Sequence, residues 1–444
     1  MDLAAALEYL AGHVNLEREV APRAAARRLD RVHRLMELMG DPQHSYPVIH
    51  ITGTNGKGSV ARMVTALLVA RGLRAGTYTS PHLEHLNERM AWNGEPIPDE
   101  DLADVIGAVA ELEPLLESPP THFEILTSAA FRWFADVAVD VAVVEVGLGG
   151  RWDATNVADA QVAVLTNVSL DHAETIGPAL TDIATEKSGI VKPASTFVLA
   201  ETNPALRPIF EAAGASELWV KGTEFRCGGN RLAHDGRVVD LSTPGAAYTG
   251  VYLPVHGPYQ GDNAAVALAA VEAFFGAPLA GEVVAEAFAG LRLPGRLEVV
   301  SRHPVTVLDG AHNPAGALAA TAALDEAFGP AITGRVLVIG MLQGRDPVEM
   351  LRCFGASGDQ RSRAGGARLV VACPPPSPRA LPAAEVAAAA RSLGTDAEET
   401  SSVPEAVATA LALAGEQELV HVTGSLYVVG AARAALHSPA PGPG

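Results

Sequence analysis

One stretch constrains this chain more than any other: Val48-Ile49-His50-Ile51-Thr52-Gly53-Thr54-Asn55-Gly56-Lys57-Gly58-Ser59. A β-branched run (Val48, Ile49, Ile51) enters a glycine-rich turn that carries a lysine and a hydroxyl, and an amphipathic pattern from Val60 to Val69 then reads as helix. Strand, glycine loop and helix in that order form a phosphate cradle. Glycines let backbone N–H groups turn toward an anion, the helix N-terminus adds partial positive charge, and Lys57 neutralises outer phosphate oxygens. Ser59 is then placed to reach a Mg²⁺. The spelling departs from the standard loop, because Gly53 lies only four residues before Lys57 and Gly58 separates Lys57 from the hydroxyl. Nucleotide binding therefore rests on the strand–loop–helix context. The bland alternative is a helix-capping Gly/Ser turn with an incidental lysine.

Composition narrows the partners. At 444 residues the chain is too long for one core, so two domains are expected, or three. With 48% hydrophobic and 19% charged residues it reads as an ordinary soluble globular protein. A net charge of −19 argues against a nucleic-acid binder, which needs a basic face, but does not oppose a local phosphate cradle. Cys227, Cys353 and Cys373 have no metal-ligand spacing, and their odd number suggests no disulfide framework. The opening Met1-Asp2-Leu3 starts no signal peptide, and no apolar stretch reaches membrane-spanning length. The expectation is a cytoplasmic protein with small-molecule ligands and no membrane partner.

In chain order, residues 2 to 40 read as helix with Asp2 as N-cap. Arg74–Thr79 reads as a strand ending in Thr79-Ser80-Pro81-His82, a hydroxyl pair at a carboxyl end where open α/β sheets bind ligands. Asp99, as a cap, opens a helix to Leu116, and Thr121 opens another to Phe134. Val139–Val146 is an apolar run fit for a strand buried on both faces, interrupted only by Glu145. A glycine-rich loop, Gly147–Asp153, follows. Gln161–Thr166 is the next strand, leading to Asp171-His172. Phe197–Ala200, Leu218–Val220 and the stretches from Phe225 to Tyr252 read as an irregular, partly antiparallel region. Helices over Asp262–Phe275 and Val283–Leu291 close the first domain.

Leu291-Arg292-Leu293-Pro294-Gly295 is the boundary candidate, since proline and glycine interrupt helix and strand alike. It divides the chain into 1–294 and 295–444. Beyond it, β-rich runs at Val305–Leu308, Val336–Ile339, Leu369–Ala372 and Leu419–Val422 alternate with helices at Pro314–Phe328, Ala383–Leu393 and Pro404–Leu413. The fold class is α/β: a mostly parallel, phosphate-loop-bearing N-terminal domain and a smaller α/β domain. Gly355–Gly366 is expected to be a mobile loop, and Ser438–Gly444 a disordered tail.

Four places carry candidate chemistry. Glu145, at the end of a buried strand, needs a partner or a cation, so it is either a Mg²⁺ ligand or a carboxylate capping the following loop. His172 also follows a strand, and is either functional or a structural histidine. Lys187, in Thr185-Glu186-Lys187-Ser188-Gly189, is either a site lysine or a solvated charge. Leu308-Asp309-Gly310-Ala311-His312-Asn313-Pro314 repeats the strand-to-helix grammar with Pro314 suited to a first helical turn. Arg296, Asp309 and His312 either face the first domain across a cleft or belong to a ligand-free capped turn.

Taken together, the motifs resemble the folylpolyglutamate synthase/dihydrofolate synthase branch of the Mur-ligase-like ATP-dependent amide ligases. The carrying stretches are His50–Ser59, Thr79–Leu83, Thr121–Thr127, Val144–Asn156, Leu165–Ile176, Glu186–Lys192, His256–Asn263, Pro294–Glu298, Leu308–Pro314 and Val422–Tyr427. They follow the family order across nearly the whole chain. The resemblance implies an ATP-binding N-terminal domain and a Rossmann-like C-terminal glutamate-ligase domain, acting as a monomer. It implies that Thr54, Asn55, Gly56, Lys57, Gly58 and Ser59 hold the ATP phosphates. Magnesium, at two sites, would be served by Ser59, Ser80, Glu145, His172 and Lys187, the last as a carboxylated lysine. Lys57, Glu145, His172 and Lys187 would form the catalytic set. Asn263, Arg296, Asp309 and His312 would face the nucleotide, Thr121, Phe123 and Asp153 the folate or dihydropteroate, and Arg89 the L-glutamate.

Two departures bear on this. Ala25-Ala26-Arg27-Arg28 stands where the family usually carries an Ile-Asp-Leu-Gly-like stretch, and Arg345 where lysine is common. Folate polyglutamylation is thus the firmer implication, and dihydrofolate synthesis the weaker. Three rivals remain. A cell-wall amide ligase carries a UDP-binding domain ahead of the loop, and only about 50 residues precede it here, short of a typical domain. A GTPase switch needs an Asn-Lys-x-Asp reader, and the chain has no Asn-Lys pair. A non-catalytic binder would leave Glu145, His172 and Lys187 without a shared purpose.

Overall fold

The computed structural model describes residues 1–15, 17, 29–171, 174–357 and 366–437. His172, Ala25–Arg28, the 438–444 tail and most of the 355–366 loop lie outside the described residues. Two compact units emerge: residues 1–233, 237–254 and 260–291, and residues 234–236, 255–259 and 292–444. No helix among the described residues is long and apolar enough to cross a membrane.

The first unit is built on eight strands: β1 (Val48–Thr52), β2 (Ala75–Tyr78), β3 (Met90–Trp92), β4 (Glu95–Pro96), β5 (Val141–Glu145), β6 (Val162–Leu165), β7 (Thr196–Leu199) and β8 (Glu217–Val220). Their order is β4-β3-β2-β5-β1-β6-β7-β8, parallel from β2 to β8 with an antiparallel β3–β4 edge. Every residue of β1 and β5 is buried, as the apolar runs anticipate. Because β5 and β6 flank β1 on opposite sides, the carboxyl end of β1 lies at a switch point, where crossovers leave a crevice.

The structure corrects three sequence expectations. The 2–40 segment is not one helix: Leu3–Ala11 ends at Gly12, and a second helix spans Asp30–Leu38. Asp2 caps the first by accepting from the Ala5 amide at 2.8 Å. At the next helix Pro98 is the N-cap, so Asp99 is the first helical residue and its charge sits in the first turn with Glu100 and Asp101. The runs at 197–200 and 218–220 are β7 and β8 of the main parallel sheet. They pair with residues far away in sequence, which no local pattern announces. The antiparallel part is β9 (Arg226–Ala233), β10 (Gly236–Ser242) and β11 (Ala247–Leu253), a separate three-stranded sheet.

The second unit carries β12 (Glu298–Arg302), β13 (Val305–Leu308), β14 (Gly334–Ile339), β15 (Ala367–Ala372), β16 (Asp396–Glu399) and β17 (Glu418–Thr423), in the order β12-β13-β17-β14-β15-β16. All pair in parallel except the β12 edge. Its core holds an unusual cation. Arg335 on β14 is fully buried, its Nη2 donates to the Phe354 carbonyl, and Nε and Nη1 have no hydrogen-bond partner among the described residues. Burial pushes its pKa down to about 10, against the opposing field of Asp325. A guanidinium left incompletely paired in a core is a cost that a hydrophobe of similar volume avoids. Arg335→Met is therefore expected to leave the thermal midpoint unchanged or higher in a calorimetric scan. A fall of more than about 4 °C, the shift that roughly 1 kcal/mol produces in domains of this size, would contradict it.

Candidate active site

The loop leaving β1 is clamped by the chain leaving β6. The Thr54 and Asn55 amides donate to the Asn167 backbone carbonyl and side-chain Oδ1, at 2.9 and 3.0 Å. The Asn55 carbonyl accepts from Thr166 Oγ1 at 2.6 Å and Asn167 Nδ2 at 3.0 Å. Thr54 Oγ1 accepts from the Ser169 amide at 3.0 Å and lies 3.2 Å from the Ser169 carbonyl. These bonds divide the expected phosphate-binding set. Thr54 and Asn55 have spent their N–H groups on the loop's shape. The amides from Gly56 to Ser59 open the helix Lys57–Ala70, where first-turn N–H groups have no intrahelical acceptor. Gly56 has φ +86°, and a Cβ there would lie 2.9 Å from Asn263 Oδ1, so only glycine lets Asn263 press against the cradle.

Two lysines converge on one carbonyl. Lys57 Nζ donates to the Gly53 carbonyl at 3.1 Å and Lys187 Nζ to the same oxygen at 2.8 Å. Lys187, in the last turn of Leu180–Ser188, is 5% exposed, which removes the reading of a solvated charge. Burial, with the Lys57 charge beside it, pushes its pKa down to about 7.

Glu145 closes β5, 5% exposed, and its Oε2 accepts from the Ser80 amide at 3.4 Å. The position of a Cβ on Gly58 is 3.4 Å from the same oxygen. Ser80, Glu145 and the Gly58–Ser59 end of the loop thus share the carboxyl ends of β2, β5 and β1. Hydroxyl and carboxylate oxygens form a hard donor set that fits magnesium. Lys187 as an amine does not fit; as a carbamate it would. No group of three or more His, Cys, Asp or Glu among the described residues is gathered as a metal site, and His172 lies outside them.

The expected acceptor-substrate residues gather beside the loop after β5. The Phe123 ring lies over Gly147, where a Cβ would come within 2.6 Å of it, and 6.0 Å from the Tyr78 ring. Thr121 caps the helix His122–Asp136 in a capping box with Glu124, which Arg31 also engages at 3.0 and 3.1 Å. Asp153 is 6% exposed and accepts from the Leu148 amide, the Thr155 amide and the Thr155 hydroxyl. Burial raises its pKa, and those donors oppose the rise.

Arg89, the residue expected at the glutamate, lies in the turn between β2 and β3. Its guanidinium is 1% exposed and already engaged, with Glu17 bidentate at 2.6 and 2.8 Å and His82 Nδ1 at 2.9 Å. It ties the chain at Glu17 to the turn after β2. Residues that sequence reasoning left without a role are Thr166 and Asn167, the loop clamp. Their signal was available, since they sit inside the Leu165–Ile176 motif.

In the second unit, Asp309 directly follows β13 and is buried. Its oxygens accept from the Leu297 amide at 3.1 Å and the Ala311 amide at 3.0 Å. Burial raises its pKa while the Arg296 charge opposes the rise. Arg296 Nη1 lies 2.4 Å from where a Gly310 Cβ would be, and His312 Nδ1 is 2.9 Å from the Gly310 carbonyl. Arg296, Asp309 and His312 therefore form one polar cluster, more than a capped turn.

Residues 51–271 match the family described as Mur ligase middle domain, and 295–426 that described as Mur ligase, glutamate ligase domain. A folylpolyglutamate synthase of Lacticaseibacillus casei is 34% identical over 427 residues, 91% of this chain and 94% of that one. The chain belongs to the folylpolyglutamate synthase/dihydrofolate synthase family. It is an ATP-dependent ligase. A dihydrofolate synthase/folylpolyglutamate synthase of Mycobacterium tuberculosis is 43% identical over 327 residues, 68% of this chain and 66% of that one. The solved M. tuberculosis folylpolyglutamate synthase in complex with ADP superposes with TM-score 0.90 at 36% identity, covering 98% of both chains. A bifunctional folylpolyglutamate synthase/dihydrofolate synthase holding Mn, AMPPNP and L-glutamate matches with TM-score 0.81 at 30% identity, over 99% of this chain and 98% of that one.

Proposed function

We propose that this ligase joins L-glutamate to folates, and to dihydropteroate, through an acyl phosphate. A free carboxylate is a poor acyl donor because neither water nor an amine expels oxide from it. The acceptor carboxylate takes the γ-phosphoryl group of ATP, releasing ADP. The amino group of L-glutamate then attacks the acyl carbon, the amide forms, and phosphate leaves with the electron pair. No side chain acts as a nucleophile. The amides of Gly56–Ser59 and the Lys57 ammonium hold and neutralise the phosphates. Asn263, Arg296, Asp309 and His312 face the nucleotide, and Thr121, Phe123 and Asp153 take the acceptor. The domain division is 1–294 and 295–444, and the enzyme works as a cytoplasmic monomer.

When bound at two sites, magnesium would draw charge from the transferring phosphoryl group. Ser59, Ser80 and Glu145 would hold it, with His172 and Lys187, the latter as a carbamate, at the second site. A lysine displaced to about pH 7 supports that modification: its neutral amine attacks CO₂, the N–C bond forms, and the ammonium proton passes to solvent.

The observation that carries the reading is the convergence of the phosphate loop, Ser80, Glu145 and buried Lys187 at one end of one sheet. ADP and phosphate are expected only when an acceptor and L-glutamate are both present. Mass spectrometry of products from tetrahydrofolate and dihydropteroate, offered separately, is expected to show glutamate added to each. ATP turnover that ignores either co-substrate would sink the ligase assignment, and an inert dihydropteroate would confine the enzyme to polyglutamylation.

A further inference from the structure

His50 belongs to the phosphate-loop motif but performs no phosphate chemistry. It lies inside β1 with no exposed surface, and its Nε2 is 2.8 Å from Thr155 Oγ1. Thr155 is equally buried, with its hydroxyl 2.5 Å and its amide 3.0 Å from Asp153 Oδ1. The other oxygen, Oδ2, accepts from the Leu148 amide at 2.8 Å.

Proton counting sets the directions. A carboxylate only accepts, so the Thr155 hydroxyl donates to Asp153. Its one proton is then spent, and Thr155 must accept from His50 Nε2–H. His50 is therefore the Nε2–H tautomer. Its Nδ1, which has no hydrogen-bond partner among the described residues, is a bare lone pair and not an orphaned N–H. Burial, assisted by the Lys192 charge, keeps the ring neutral by pushing its pKa down to about 3. Two donors saturate Oδ1 and one occupies Oδ2, and a carboxylate has about four acceptor positions.

We propose that His50 and Thr155 are positioning residues that orient Asp153 and leave a single open acceptor position, on Oδ2, for an N–H-bearing heterocycle of the acyl substrate. This rests on the reading of Asp153 as an acceptor-substrate contact. It also explains why a histidine stands in the strand that feeds the phosphate loop: the strand that shapes the ATP cradle anchors the recognition carboxylate through its side chain. Removing either link leaves the Asp153 carboxylate held by the Leu148 and Thr155 amides alone or by a hydroxyl no longer fixed by His50, and leaves a buried polar group one partner short beside it.

The test is steady-state kinetics of the full chain with tetrahydrofolate varied at saturating Mg·ATP and L-glutamate, with ATP varied in a second series. Thr155→Val and His50→Leu are expected to raise the KM for tetrahydrofolate about tenfold or more, the effect of one lost buried hydrogen bond. The KM for ATP should stay within about twofold, and Thr155→Ser should recover most of the loss, by the same reasoning. Asp153→Asn is the reference. If it leaves the tetrahydrofolate KM unchanged, the reading of Asp153 fails and the inference with it. If it raises that KM while Thr155→Val does not, the inference alone fails. Parallel rises in both KM values for Thr155→Val would mark general loosening and overturn it as well. Should His50→Leu not fold, the Thr155→Val and Thr155→Ser pair decides the matter.

Discussion

Lys187→Ala is expected to lose most glutamate-ligating activity, roughly 10²–10³-fold in kcat, the scale of removing one preorganised electrostatic contact from a transition state. The side chain is buried against the Gly53 carbonyl beside Lys57, so as an ammonium it would be a second cation crowding the first. As the proposed carbamate it would supply anionic oxygens to a bound cation. Small carboxylates such as acetate or formate should restore part of the alanine variant's activity by filling the vacated volume with an anion. In the unmodified enzyme, bicarbonate should raise activity more at pH 8 than at pH 6, because the neutral amine predominates only above about pH 7. Full activity of Lys187→Ala, or no response to either anion, would remove the carbamate.

Glu145→Gln should separate stability from function. Glutamine keeps the shape and an acceptor for the Ser80 amide, but removes the charge from a 5% exposed carboxylate. In the absence of nucleotide and metal, the variant's thermal midpoint is expected to stay close to the parent's, since glutamine keeps the side chain's volume and its acceptor for the Ser80 amide. Its kcat should fall by roughly 10²–10³-fold and its magnesium dependence should move to higher concentration. The stabilisation that Mg·ATP confers on the parent should shrink in the variant, which a melting series with and without Mg·ATP would measure. A variant that is less stable yet nearly as active would make Glu145 a structural cap of the 147–153 loop.

Much of the fold was legible because parallel strands buried on both faces are continuous apolar runs: β1, β5 and β14 stand out from residue types alone. What escaped were elements whose identity depends on a distant partner. β7 and β8 are short, and only their pairing beside β6 makes them part of the main sheet. β16 is Asp-Ala-Glu-Glu, with no strand-like composition, and is a strand only because β15 offers it an edge. The helix Leu426–His437 does carry a local start signal, Ser425, whose hydroxyl accepts from the Tyr427 amide at 3.2 Å.

The site divides in the same way. The sequence by itself determined the residue types and their order: a glycine loop with Lys57, a hydroxyl at Ser80, a lone carboxylate at Glu145 inside an apolar strand, and a lysine at 187. Local chemistry decides these, because glycine, lysine and carboxylate each carry constraints readable without neighbours. Tertiary structure alone decided which groups are spent and which are open. It committed the Thr54 and Asn55 amides to Asn167, buried Lys187 against Gly53, and engaged Arg89 with Glu17 and His82. It also ran the chain His50–Thr155–Asp153 across residues that are 105 and 2 positions apart. Hydrogen-bond donors are finite and partners are found through the packed sheet, so a side chain's role is fixed by what has already claimed it.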